Sequence, residues 1–188
     1  MKITTQAVRT KYWRPGDDYL KIIVTAVSHE LQDGDILAVS EKAVAVAQGV
    51  VVDESKVRPR LLARILTVFW MRLVWGRILG RLCHMRRVNI ERLRAYPLAE
   101  GARHKQVCLE QVGLLQSLRP FSEGGIDTTN LPYSLVSLPL GSPKQVAEDI
   151  RVTIANRLGK AVSVVIVDSD KTYSYRRLHF ASRPVGIR

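Results

Sequence analysis

The sequence predicts an α/β fold in which a mixed sheet packs against helices and a basic helical insert interrupts the pattern. Two apolar, β-branched runs, at residues 35–40 and 161–167, have the length and composition of buried strands. A stretch with helical features runs from Ser142 to Gly159, directly before the second run, and this helix–turn–strand order is typical of α/β proteins. With 188 residues, of which 46% are hydrophobic, the chain is long enough for one domain with a real core.

The first third of the chain predicts one helix flanked by extended segments. Residues 2–9 alternate weakly, as in an edge strand, and residues 15–18 (Pro-Gly-Asp-Asp) predict a turn that provides a helix N-cap. Apolar residues at helical spacing follow, namely Leu20, Ile23, Val24, Val27 and Leu31. Residues 41–48 fit a helix or a strand equally well, and residues 50–52 predict a further short strand.

The last third predicts its helix and strand most clearly. Ser142 is an expected N-cap, Pro143 occupies the first helical position, and Gly159 ends the helix. The apolar stripe of this helix consists of Val146, Ala147, Ile150 and Ile154. Residues 173–179 are polar and aromatic and predict a returning strand.

The net charge of +12 is concentrated in one region of the sequence. Residues 58–105 contain twelve arginines and lysines but only two acidic residues, Glu91 and Glu100. Such a lopsided region is expected to meet an anionic ligand or a complementary protein surface. We assign it to a basic helical insert over residues 57–119 within a single domain that spans residues 1–188.

The insert begins with a strongly apolar helical stretch from Leu61 to Leu82. Its central arginines argue against a membrane span, which needs roughly 20 nearly uncharged residues. On an α-helical wheel, one broad face is shared by Arg60, Arg64, Thr67, Arg77 and Arg81. A second, more polar helical stretch runs from Asn89 to Lys105 and is broken at Pro97.

Two aspartates occupy positions that suit a ligand site. Asp127 follows the Gly124-Gly125 turn, and Asp168 ends the apolar run at 161–167. The ends of strands border the crevices in which α/β proteins bind ligands, and carboxylate oxygens are the ligands that Mg²⁺ and Mn²⁺ prefer. The alternative for each aspartate is the capping of a turn. The two together favour a phosphate-handling metal site.

Other features favour a cytoplasmic protein. No apolar leader follows Met1. Cys83 and Cys108 form no metal or disulfide pattern, which is usual in a reducing compartment. His104 lies in a basic stretch from which it can approach an anion, whereas the other three histidines show no pattern.

Five segments in order resemble the coenzyme F-420 gamma-glutamyl ligase family. They are Gly-Asp-Asp at 16–18, the run from Asp-Gly-Asp to Gln-Gly at 33–49, Gly-Ile-Asp-x-x-Asn at 125–130, the apolar-Asp-Ser run at 164–169, and the aromatic, arginine-bearing stretch at 173–177. This resemblance implies the family's α/β fold and a GTP-dependent amide ligase that joins L-glutamate to an anionic deazaflavin cofactor. It also implies a divalent metal and a homodimer.

The resemblance also implies roles for individual residues. By motif, the metal ligands would be Asp127, Asp168 and Ser169. The nucleotide-binding residues would be Ser40, Lys42 and Asn130. The chain departs from the family pattern at Val46, at Gln48 and over residues 9–12. It also stops at Arg188, where the family normally continues. We therefore expect either a partner chain that completes the site or a shortened relative with altered ligase activity.

The basic insert has no counterpart in that resemblance, and three uses remain open for it. Its arginines suit RNA phosphates, with Trp70 and Trp75 stacking on bases, in a non-catalytic RNA- or ribonucleoprotein-binding protein. They suit an anionic cofactor equally well, and the insert also suits a dimer interface. The expected anion- or RNA-binding residues are Arg72, Arg77, Arg81, Arg86 and Arg87.

Overall fold

A computed structural model of the chain has an α/β fold, as predicted. It describes residues 4–121, 123–128, 131–132, 134–168, 172–175, 178–181 and 186–187. The chain divides into unit 1, formed by Met1–Val50 and Pro139–Arg188, and unit 2, formed by Val51–Leu138. The segment expected as an insert, residues 57–119, lies within the sequence of unit 2.

The elements are helices and short strands, with consecutive helices in the middle of the chain and consecutive strands near its end. In order they are α1 (Tyr19–Val27), β1 (Ile36–Ser40), α2 (Glu41–Ala47), β2 (Val51–Asp53), a 3₁₀ turn (Glu54–Lys56), α3 (Leu61–Ile65), a π-helix (Leu66–Leu79), α4 (Gly80–Leu82), α5 (Arg87–Arg94), α6 (Leu98–Gln111), α7 (Gly113–Ser117), β3 (Leu135–Ser137), α8 (Pro143–Leu158), β4 (Ser163–Val167), β5 (Thr172–Tyr175), β6 (Leu178–Ala181) and β7 (Gly186–Ile187).

Unit 1 is built on a three-stranded sheet in the order β1-β4-β7. β1 runs parallel to β4, with Ser40 opposite Val167, and β7 runs antiparallel to β4. β1 is therefore an end strand of this order, and the prediction of a buried strand at 35–40 is only partly right: Val39 is buried, whereas Ile36 is 72% exposed. The edge strand expected at 2–9 is wrong for residues 4–9, which form no strand.

Helix α8 confirms the helix predicted between Ser142 and Gly159, although the Ser142 side chain makes no capping hydrogen bond. It begins after Ser142 with Pro143 in its first turn, and it ends at Gly159, whose φ of 65° is in the left-handed region that favours glycine. The four predicted stripe residues Val146, Ala147, Ile150 and Ile154 are all buried. They pack with β4 residues Val164 and Ile166 in the main apolar core of unit 1.

Unit 2 combines helices α3–α7 and the π-helix with the antiparallel pair β2–β3. The segment from Leu61 to Leu82 is helical, as expected, but its middle is a π-helix with wider i→i+5 turns. The face predicted from the α-helical wheel is not uniformly exposed: Thr67 is fully buried, whereas Arg64 and Arg77 are exposed. The wider turn also brings residues five apart to the same side.

Trp70 and Trp75 show the effect of this wider turn. Their indole Nε1 groups donate to the same acceptor, the carbonyl oxygen of Leu118, at 2.7 and 2.9 Å. In an α-helix, residues five apart point in widely different directions, so only the π-helix allows this convergence. Both rings are therefore fixed by the end of α7.

Large apolar side chains remain exposed along the same helical segment. They are Leu61, Leu62, Ile65, Val68, Phe69, Leu73, Ile78 and Leu82. The expected homodimer would give this surface a partner, and it remains a prediction. Among the described residues, no helix has both the length and the apolarity that crossing a membrane requires.

Candidate functional site

Three of the residues predicted to bind metal or nucleotide lie at one edge of the sheet in unit 1. Ser40 is the last residue of β1 and pairs with Val167, so that Asp168 follows at the adjacent end of β4. Because β1 and β4 are parallel, their carboxyl ends meet at the same edge, where open α/β sheets bind ligands. Lys42 follows in the first turn of α2. Ser40 is exposed, whereas Lys42 and Asp168 are half-buried.

Asp127 lies in unit 2, where its backbone forms a bridge with Ser137. The amide of Asp127 donates to the carbonyl of Ser137 at 3.1 Å, and the amide of Ser137 donates back at 2.9 Å. Gly124 and Gly125 precede it with φ values of 62° and 93°, which agrees with the predicted glycine turn. Asp127 and Asp168 belong to different units, so their joint use as metal ligands remains a prediction. Two further predicted site residues, Asn130 and Ser169, are outside the described residues.

The five arginines expected to bind an anion have different surroundings. Arg72 is half-buried, and its Nε donates to the carbonyl of Tyr96 at 2.7 Å, which ties the π-helix to the connection between α5 and α6. Arg87 is exposed and pairs with Glu91 at 3.3 Å. The other three, Arg77, Arg81 and Arg86, are exposed. These positions leave RNA binding as a prediction.

A cavity of about 470 Å³ lies beside α1 in unit 1. Its lining includes the cationic side chains Arg9, Lys11 and Lys21 together with Asp18. Nζ of Lys11 also pairs with Asp17 at 2.7 Å. The charged part of the cavity lining is therefore mainly cationic. Part of the lining is formed by residues 9–11, which lie in the segment where the chain departs from the family pattern.

A second site of a different kind lies inside unit 2, and the sequence did not reveal it. We call it the His104 cluster; it consists of His104, Cys108, Glu123, Glu54 and Lys105. Nδ1 of His104 is 2.6 Å from Oε1 of Glu54, and its Nε2 is 3.4 Å from Oε2 of Glu123. One ligand atom each from His104, Cys108 and Glu123 lies within 4.8 Å of the other two.

Lys105 completes the cluster from the opposite side of Glu123. Its side chain is fully buried, and Nζ donates to Oε1 of Glu123 at 2.7 Å and to the carbonyl of Ser117 at 2.9 Å. A third hydrogen bond reaches the carbonyl of Arg119 at 3.2 Å. A buried ammonium is tolerated only when it is paired and hydrogen-bonded in this way.

The cluster shifts the protonation of its own members. Burial alone would lower the pKa of His104, but hydrogen bonds to Cys108, Glu123 and Glu54 outweigh it and raise that pKa above its ordinary value. Burial would likewise raise the pKa of Glu123, yet the hydrogen bond from His104 and the charge of Lys105 lower it to about 2. Without a bound ion, the cluster therefore holds an imidazolium between carboxylates.

One local signal of the cluster was present in the sequence. His104 and Cys108 are four residues apart in α6, so they share one face of that helix. The two cysteines alone formed no metal pattern in the sequence, and the structure places Cys108 in a group with His104 and Glu123 that could hold a metal ion. Glu54 and Glu123 come from distant segments, and only the fold reveals that they are neighbours.

Comparison with known proteins identifies relatives over nearly the whole chain. A sequence model of the family described as F420-0:Gamma-glutamyl ligase matches residues 7–187. The chain is also similar to the uncharacterized protein MJ1361 of Methanocaldococcus jannaschii, with 37% identity over 183 residues. That alignment covers 96% of this chain and 62% of the relative, so the chain spans less than two thirds of the relative's length. The family match confirms the resemblance predicted from the motifs.

Proposed function

The chain belongs to the F420-0:gamma-glutamyl ligase family, and we propose that it is a ligase-like protein that binds GTP together with Mg²⁺ or Mn²⁺. The proposed reaction class is amide-bond formation between L-glutamate and an anionic substrate of the deazaflavin type. One observation carries the nucleotide part of this proposal: Ser40, Lys42 and Asp168 lie at the shared carboxyl edge of the parallel strands β1 and β4.

The chemistry of these residues suits a metal–nucleotide complex. Lys42 offers a point charge for a phosphate, and Ser40 offers a hydroxyl donor. The proposed metal ligands are Asp127, Asp168 and Ser169, since carboxylate and hydroxyl oxygens match the preference of Mg²⁺ and Mn²⁺. The bound cation would neutralise charge on the nucleotide phosphates.

A calorimetric titration of GTP with Mn²⁺ into the purified protein tests this proposal. We expect saturable, metal-dependent binding that becomes about tenfold weaker or more in Asp168→Asn, a loss of about 1.4 kcal/mol or more of binding free energy. Glu30→Gln is the matched control because Glu30 is an exposed carboxylate of the same unit beyond the end of α1. A parallel titration with ATP tests whether guanine is preferred.

Two results would contradict the proposal. The first is the absence of binding heat from a protein whose circular dichroism spectrum is that of a folded chain. The second is equal affinity in Asp168→Asn and Glu30→Gln. If the basic residues bind RNA instead, affinity for a single-stranded RNA oligonucleotide will fall steeply with salt and will not respond to Asp168→Asn.

A further inference from the structure

The His104 cluster contains the components of a transition-metal site that is separate from the proposed nucleotide site. We propose that it binds one divalent ion of the Zn²⁺ type through Nε2 of His104, Sγ of Cys108 and Oε2 of Glu123. The three donors are an imidazole nitrogen, a sulfur and a carboxylate oxygen. This mixed set favours Zn²⁺ and related ions over Mg²⁺ or Ca²⁺, which take oxygen ligands.

The spacing of the donor atoms fits tetrahedral coordination. Zn²⁺ lies about 2.0–2.2 Å from nitrogen and oxygen ligands, which places two such ligands about 3.4 Å apart at a tetrahedral angle. Nε2 of His104 and Oε2 of Glu123 are 3.4 Å apart. This separation is long for a hydrogen bond but suits two atoms that share an ion. The i, i+4 spacing of His104 and Cys108 on α6 brings the sulfur to the same side.

The neighbouring groups are arranged as an outer coordination shell. Glu54 binds Nδ1 of His104 at 2.6 Å, which orients the ring and leaves Nε2 for the ion, as in the carboxylate–histidine–metal arrangement. Lys105 binds Oε1 of Glu123 at 2.7 Å and leaves Oε2 for the ion. The side chains of His104 and Glu123 are thus each held in place through the atom that does not bind the ion. Little further ordering of these side chains is therefore required when the ion binds.

The charges of the cluster remain balanced when the ion replaces protons. Without metal, the imidazolium and the Lys105 ammonium offset the two carboxylates, so the sum is zero. With metal, one proton leaves Nε2 of His104 and one leaves Sγ of Cys108, both going to solvent. The two charges of the ion then offset the new thiolate and the lost imidazolium charge, and the sum is again zero. No net charge is buried by the exchange, which avoids the large cost of an unpaired buried charge.

The cluster is close to solvent only at its edge. The side chains of His104 and Glu54 are 12% and 11% exposed, whereas Cys108 is fully buried.

Titration with Co²⁺, followed by optical absorbance, tests the proposal directly on the chelator-treated protein. We expect one Co²⁺ per chain with a thiolate-to-cobalt charge-transfer band in the near ultraviolet. Cys108→Ser should abolish the band, and Cys83→Ser should leave it unchanged, because Cys83 is the exposed second cysteine of the same unit. Asp168→Asn should also leave it unchanged, which separates this site from the proposed nucleotide site.

Several outcomes would overturn the proposal. One is the absence of the band in the folded wild-type protein, and another is its persistence in Cys108→Ser or its loss in Cys83→Ser. If Cys108→Ser does not fold, Glu54→Gln decides, since it keeps all three ligands and weakens only the support of His104. Loss of such outer support typically lowers metal affinity about 10–100-fold. An unchanged affinity for Co²⁺ in Glu54→Gln would contradict the proposed coordination.

Discussion

Units 1 and 2 are stabilised by different kinds of interior. The main core of unit 1 is apolar, with α8 packed against β4, and its proposed site residues lie at the edge of the sheet. Unit 2 buries Glu54, Lys105 and Glu123 together with His104, and its separate apolar cluster is small. From this difference we expect that substitutions of polar site residues change ligand affinity in unit 1, whereas in unit 2 they change the free energy of unfolding.

The largest expected effect comes from breaking the buried ion pair of unit 2. Lys105→Met leaves Glu123 without its closest cation, and removing one partner of a buried pair costs about 3–5 kcal/mol. Urea denaturation at pH 7 with chelator present measures this change in the free energy of unfolding. Lys144→Met, an exposed lysine in the first turn of α8, is the control and should change stability by about 0.5 kcal/mol or less. Equal effects of the two variants would remove the contrast between the units.

The second expected effect is a dependence of stability on pH that originates in unit 2. Glu123 has a pKa of about 2 against an ordinary value of 4.5, so its contribution is complete above pH 4.5 and is lost as the pH falls towards 2. The difference corresponds to about 3 kcal/mol. The raised pKa of His104 acts in the opposite sense, because its contribution is complete below its ordinary value of 6.5 and declines at higher pH.

The contributions of Glu123 and His104 are both complete only between pH 4.5 and 6.5, so we expect unit 2 to be most stable in that window. Denaturation midpoints measured across pH 2–8 for the wild type and Glu123→Gln test this sign and this window. In the variant, the midpoint should no longer show the decrease that Glu123 causes below pH 4.5 in the wild type. A wild-type midpoint that stays constant from pH 5 to pH 2 would show that protonation of Glu123 does not lower the stability of the protein.

The smallest expected effect compares two glycines. A Cβ at Gly101 on α6 would collide with the ring of Tyr96 at Cε1, so Gly101→Ala should cost about 1–3 kcal/mol through overpacking. At Gly141 in unit 1 a Cβ would have no atom within 4 Å. Gly141→Ala should be neutral or should stabilise by up to about 1 kcal/mol, since it restricts the unfolded chain. Thermal unfolding measures both, and equal melting temperatures would show that α6 can shift away from Tyr96.

Prediction from the sequence was more successful for unit 1 than for unit 2. In unit 1, short-range signals were sufficient: Ser142, Pro143 and Gly159 define the ends of α8, and β4 delivers Asp168 to the expected edge. Two shortfalls lie there: residues 4–9 do not form the expected edge strand, and the apolar composition of β1 does not reveal that it is an end strand. Burial depends on neighbours in the sheet, and a run of six residues does not specify them.

In unit 2 the same reasoning located the helices but not their interior. The α-helical wheel placed Thr67 on one face with Arg64, but Thr67 is fully buried and Arg64 is exposed, because the packing of a helix face depends on its neighbours in the fold. The His104 cluster was not predicted because it joins residues 54, 104 and 123. Helical and strand periodicity relate only residues that are close together in the sequence. Ion pairs between distant segments become visible only when the fold brings them together.

The parallel pairing of β1 with β4 has a consequence for the order in which the protein is made. Ile36 pairs with Ser163, and the whole sequence of unit 2 lies between these two strands. During synthesis, β1 leaves the ribosome long before its neighbour exists, and closure of the sheet must wait for the last part of the chain. Every amino acid of unit 2 has by then been added, so the unit whose sequence begins first is the last to be completed.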